Sequence, residues 1–148
     1  MLNFKRGFDW VRGFEGGYRL PERKTRGSAG YDFYANERIV VPAHGEAKVK
    51  TGVKAYMQEY EVLQLFIRSS YGVKHGLMLA NNVGVIDSDY CGNPENDGEI
   101  QAVLLNRGDE DFVIERGQSF MQGIFMEYKT LGDIPREERV GGVGSTGR

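Results

Sequence analysis

"RIVVPAHGEAKVKTGVKAYM" occupies Arg38–Met57. Three short apolar-rich pieces are separated by Pro42-Ala43-His44-Gly45 and by Gly52. Proline lacks an amide hydrogen and glycine adopts turn geometry without steric cost, so both punctuate a chain. The stretch therefore reads as strand, turn, strand, glycine, strand. The same grammar continues downstream. "EVLQLFI" (Glu61–Ile67) puts Leu63, Leu65 and Ile67 on one face, and "IQAVLLN" (Ile100–Asn106) does so with Ile100, Ala102 and Leu104. "NRGDED" (Asn106–Asp111) is a turn, and Asp111–Tyr128 reads as two strands broken at Arg116-Gly117. No segment has the period of a long helix; one helical turn is expected near "SSYGVKHG" (Ser69–Gly76). The reading is an all-β fold of many short strands: a sandwich, a jelly roll or a barrel, among which periodicity does not choose.

The two ends read differently. Residues 1–30 look irregular, although Phe4, Phe8, Trp10 and Phe14 predict that they dock on the body or on a neighbour. From Gly141 the tail "GGVGSTGR" has too few side chains to build a core element. It is expected to be a flexible arm or a loop that orders on something.

At 148 residues the chain is read as one domain, 1–148, large enough to bury a sizeable core. Its 21 glycines are about double the usual share, which favours tight turns between strands. A formal charge of −2 offers no electrostatic footprint for a nucleic-acid polymer, though a local cluster of donors suffices for one nucleotide. The single cysteine, Cys91, cannot form an internal disulfide. The first ten residues are too polar for a signal peptide and no apolar run approaches a membrane span. A cytoplasmic protein with no membrane partner is the expectation.

Four stretches carry residues suited to chemistry. In "NNVGVIDSDYCG" (Asn81–Gly92) a dense apolar run ends in Asp87, with Tyr90 three residues on. A strand turning sharply at Gly84 presents backbone groups to a planar base, and Asp87 at its end can polarise a water. Equally, Asp87 caps a turn and Tyr90 is core. "RSS" (Arg68–Ser70) offers a guanidinium fork and hydroxyls for phosphate, or is an ordinary strand end. Asp32, in "AGYDFYA" (Ala29–Ala35), either faces solvent or orders the water shell of Mg²⁺. "GVGSTGR" (Gly142–Arg148) fails as a phosphate loop, since Arg148 stands for the lysine and no hydroxyl follows. Its exposed amides, with Ser145 and Thr146, can still wrap phosphate oxygens, or it is simply a Gly/Ser tail.

Taken in order and together with a fifth, "RGQSFMQ" (Arg116–Gln122), these stretches resemble the five motifs of the trimeric dUTPase (deoxyuridine triphosphate nucleotidohydrolase) family over about residues 25–148. "AGYDFYA" is similar to the first motif, "RSS" to the second, "NNVGVIDSDYCG" to the third, "RGQSFMQ" to the fourth and "GGVGSTG" to the fifth. Gram-positive bacterial and phage members look most alike. The resemblance implies a jelly-roll homotrimer whose C-terminal arm, about residues 136–148, closes sites between subunits. It implies hydrolysis of dUTP to dUMP and pyrophosphate with Mg²⁺. By that similarity Asp87 activates the attacking water, and Asn81 with the backbone of Val83, Gly84, Val85 and Ile86 reads uracil. Tyr90 packs under the deoxyribose, leaving no room for a 2′-hydroxyl. Arg68, Ser69, Ser70 and Gln122 contact phosphates, and Asp32 reaches the metal through water. From the arm, Arg139, Val143, Gly144, Ser145 and Thr146 complete the site.

The chain departs from the family pattern in places. Val143 stands where a phenylalanine usually stacks on uracil, which predicts weaker substrate binding. Ser119 stands where arginine is common, and "NPENDG" (Asn93–Gly98) reads as an inserted surface loop. Two other functions fit the same scaffold. A dCTP deaminase needs a different base-reading site and a catalytic Glu. A binding protein that captures a regulatory partner such as a repressor is the other, since fold does not fix function.

Overall fold

The computed structural model describes residues 5–142. The decisive stretch forms three strands: β3 (Ile39–Val41), β4 (Glu46–Lys50) and β5 (Val53–Tyr56). Around them lie β1 (Gly7–Trp10), β2 (Tyr31–Tyr34), β6 (Glu61–Ile67), β7 (Leu77–Leu79), β8 (Gly84–Asp87), β9 (Gln101–Asn106), β10 (Phe112–Ile114) and β11 (Ser119–Glu127). One short helix, α1 (Ser69–His75), sits at the expected place, and a 3-10 turn spans Ser88–Tyr90.

The strands form a four-stranded sheet in the order β2-β11-β6-β8, a three-stranded sheet β4-β9-β7, and the pairs β1-β5 and β3-β10. All pairings are antiparallel. Residues from all four sheets meet in one core, with Phe33, Leu63, Leu65 and Met121 from the largest and Val49, Leu77, Ala102 and Leu104 from the next. This is the jelly-roll class of the three that the sequence left open. The faces expected for β6 and β9 hold: Leu63, Leu65, Ile100, Ala102 and Leu104 are buried. Ile67, at the end of β6, is only partly covered.

The N-terminal segment differs from its reading. Residues 7–10 are a strand, not irregular chain, in register Gly7↔Tyr56 to Trp10↔Val53. Four residues of strand carry too weak a period to be read alone; the pairing with β5 makes them one. The aromatic docking does hold. Phe8 packs against Tyr31, Phe33 and Phe125, and Trp10 stacks on Phe14 at 5.5 Å between centroids. Phe4 lies outside the described residues. Glu61, buried at the start of β6, is neutralised by Arg6 from this same segment. A buried carboxylate left without that partner is costly, so the segment is bound by charge as well as by aromatic area.

Candidate active site

β8 is an edge strand. Among the described residues it pairs with β6 on one side only, in register Gly84↔Leu65 to Asp87↔Val62. Alternate backbone N–H and C=O groups along its other side therefore point away from the sheet. A cleft of about 200 Å³ opens there, with Asn81, Gly84, Val85, Ile86, Asp87 and Tyr90 in its wall. Leu65 and Met121 from one sheet and Leu79 and Ala102 from the other give it an apolar floor.

The segment leading into β8 corrects the expected geometry. The chain turns at Asn82, which takes the left-handed conformation (φ 66°), and not at Gly84. Asparagine tolerates that region because its short amide bonds locally. Nor do β7 and β8 form a paired hairpin: β7 belongs to the three-stranded sheet and β8 to the four-stranded one. The turn is a corner between sheets, closed by Asn82 N–H donating to the Leu79 carbonyl at 2.9 Å. Gly84 serves close packing. A Cβ there would lie 2.9 Å from Leu65 Cβ. Leu65 is buried and cannot retreat, so Gly84→Ala should cost about 1–3 kcal/mol in urea unfolding.

Asp87 ends β8 with its side chain 54% exposed. Arg139 lies over it. One guanidinium nitrogen (Nη2) donates to Asp87 Oδ2 at 2.6 Å and Nε donates to Asp89 Oδ1 at 2.8 Å. The same guanidinium stands 5.6 Å from the Tyr90 ring centroid. Tyr90 is buried, donates its hydroxyl hydrogen to the Glu99 carbonyl and accepts from Asn96 Nδ2 at 2.9 Å. Burial pushes its phenol above the ordinary value, so it stays neutral. Burial also raises the neighbouring Cys91 thiol, which makes a thiolate nucleophile unfavourable there.

The remaining expected residues sit elsewhere. Asp32 and Gln122 are paired across β2 and β11, and Gln122 is also opposite Phe66 in β6. Asp87 is opposite Val62, four residues back along β6 and on its other side. From strand rise and spacing that is about 16 Å from Gln122, too far for both to touch one α-phosphate. Arg68 follows the far end of β6, with Nη1 donating to the Ser119 carbonyl at 3.3 Å. Ser69 and Ser70 open α1 beside it. Gln122 lies against Gly30, where a Cβ would collide with its amide. Ser119 is buried, and its hydroxyl has no hydrogen-bond partner among the described residues. Val143, Gly144, Ser145 and Thr146 lie outside the described residues. The candidate residues thus fall into two separated groups, each a candidate half-site: Asn81 to Tyr90 with Arg139, and Asp32, Arg68, Ser69, Ser70 and Gln122. Asp89 and Gln101 also belong to the first; Asp89 was legible as a second carboxylate two residues after Asp87, whereas Gln101 left no signal.

An edge strand, a cleft with an apolar floor and a carboxylate at its mouth thus lie together on an antiparallel jelly roll. The dUTPase family model matches residues 18–147, and the chain belongs to the dUTPase family. It is 48% identical over 147 residues to the deoxyuridine 5'-triphosphate nucleotidohydrolase of Lactococcus lactis subsp. lactis (strain IL1403), covering 96% of this chain and 97% of that protein. The crystal structure of dUTPase from Streptococcus mutans superposes with a TM-score of 0.79 at 45% identity, over 86% of this chain and 99% of that one. A Staphylococcus bacteriophage 80alpha dUTPase shares the fold at 20% identity, with a TM-score of 0.71 over 92% of this chain and 98% of that one.

Proposed function

We propose that the chain hydrolyses dUTP to dUMP and pyrophosphate at a site assembled between copies of itself. The observation that carries this reading is the cleft at the open edge of β8, with Asp87 at its mouth and Tyr90 beside it. Uracil alternates acceptor, donor and acceptor along one edge, which suits the outward backbone groups of Gly84–Asp87, with the Asn81 amide nearby. A 5-methyl group meets the wall. The Tyr90 ring forms the sugar floor.

Asp87 takes a proton from water as that water attacks the α-phosphorus, and the P–O bond to the pyrophosphate oxygen breaks. Arg139 pairs with this carboxylate at 2.6 Å. A triphosphate competes for the guanidinium, which then closes over phosphate and leaves Asp87 able to accept the proton. Arg68, Ser69, Ser70 and Gln122 hold phosphate oxygens from a second copy. A homotrimer, the assembly that the family resemblance implies, accounts for the two separated half-sites. The exposed apolar residues Leu131 and Ile134, ahead of Arg139 in the chain, are suited to pack on a neighbouring copy.

The donor set fits Mg²⁺ carried on the substrate. Among the described residues no three His, Cys, Asp or Glu side chains cluster to cage a metal. Mg²⁺ keeps much of its water and commonly binds through one or two carboxylates plus phosphates, which suits the single Asp32. When bound it neutralises charge on the phosphates. Pyrophosphate release with Mg²⁺ should follow dUTP and not dCTP, dTTP or UTP. Release from dCTP or dTTP at a comparable rate, or from none of the four, would overturn this reading.

A further inference from the structure

The loop read as a bland insertion is tied to Tyr90 by a closed set of hydrogen bonds. Asn93 is buried; its Nδ2 donates to the Tyr90 carbonyl at 2.8 Å and to Asn96 Oδ1 at 2.7 Å. Its Oδ1 accepts from the backbone of Glu95 and Asn96. Asn96 Oδ1 also accepts from Gly98 N–H at 3.0 Å, which leaves Asn96 Nδ2 facing the Tyr90 hydroxyl. That phenol has one hydrogen to give, and gives it to Glu99; Asn96 fills a lone pair. Both polar functions of the ring are thus committed to the loop and the segment after it.

The loop itself cannot drift. A Cβ on Gly98 (φ 89°) would lie 2.7 Å from Cys91 Cα and 2.8 Å from the Tyr90 carbonyl oxygen, so the loop folds directly back on its own start. Asp97 accepts from Lys54 Nζ and from the Arg12 amide, both at 2.8 Å, which anchors it to β5 and the N-terminal segment. Those bonds hold the Asp97 carboxylate below the ordinary range.

We propose that Asn96, oriented by Asn93, is a positioning residue that fixes the Tyr90 ring and through it sets selection of deoxyribose over ribose. The inference rests on the dUTP reading above. A ring excludes a 2′-hydroxyl only while it cannot yield. Packing on one face leaves it free to tilt, whereas a bonded hydroxyl at its far end does not.

The test compares kcat and KM for dUTP and UTP in wild type, Asn96→Ala, Tyr90→Phe and the double variant, each checked for folding by urea unfolding. Tyr90→Phe keeps the ring and removes only the bonded oxygen. Asn96→Ala should lower the dUTP preference about tenfold, chiefly through a lower KM for UTP, with kcat on dUTP held within about twofold. Tyr90→Phe, which also loses the bond to Glu99, should lower the preference at least as far, and the double variant no further than Tyr90→Phe, because the bond to Asn96 is already gone. An unchanged preference, an equal loss on both nucleotides, or additive losses would overturn the proposal. Calorimetric affinities for dUDP and UDP give the same ratio without turnover. If wild type hydrolyses no dUTP yet binds dUDP, the hydrolysis reading fails while a shifted ratio in Asn96→Ala still upholds this one. Wild type binding neither nucleotide overturns both.

Discussion

Replacing Asp87 by Asn should leave the nucleotide bound and reduce pyrophosphate release from dUTP by about 10²- to 10⁴-fold, the range usual for loss of a positioned general base. The substitution keeps shape and one acceptor oxygen, and removes the charge and the basicity. Asp87 is well exposed at a strand end, so the fold does not depend on its charge. Its one strong partner, Arg139, keeps Asp89 in the variant. Binding of dUDP should therefore hold within a few-fold, while single-turnover release collapses. A rate within tenfold of wild type would mean that the water is activated elsewhere. Asp89 is then the group to examine, since it shares Arg139 and lies two residues away.

The second large effect concerns assembly. Asp87→Asn and Arg68→Ala should each be nearly inactive alone, yet a mixture refolded together should regain activity at about a quarter of its sites. The fraction follows from random mixing. A working site needs Asp87 from a chain that carries the Arg68 change and Arg68 from a chain that carries the Asp87 change. If one chain supplied both residues to one site, every site in the mixture would hold a defect and nothing would be regained. The roughly 16 Å between Asp87 and Gln122 across the sheet is the reason to expect recovery.

The strands around Arg38–Met57 and Glu61–Ile67 were legible because alternation and turn residues are local properties. β1 was not, because four residues gain strand character only from β5. The assignment of β7 and β8 to different sheets was also hidden, since partner choice is a long-range matter that no window of sequence contains. At the site, the residues from Asn81 to Tyr90 could be read together because they are consecutive. The distance between them and Arg68 or Gln122 could not be read, because chain order says nothing about which end of a sheet a residue reaches. "NPENDG" was read by its polarity, and polarity does not distinguish a solvated loop from one whose amides are spent inward on a tyrosine. The second Asn, three residues after the first, is the signal that was available.

The shortness of β8 has a bearing on solubility. An open sheet edge invites another chain to add a strand, and proteins commonly blunt such edges with charge, proline or brevity. β8 carries Val85 at 57% exposure and only four residues. Its span of about 13 Å is enough to seat a heterocycle but gives an incoming strand few bonds to gain. Asp87 at one end and the turn at Asn82 at the other stop the ladder from lengthening. Extending this strand in an engineered variant would therefore trade selectivity for aggregation: the edge left open for a small molecule would become one that fits the chain's own neighbours.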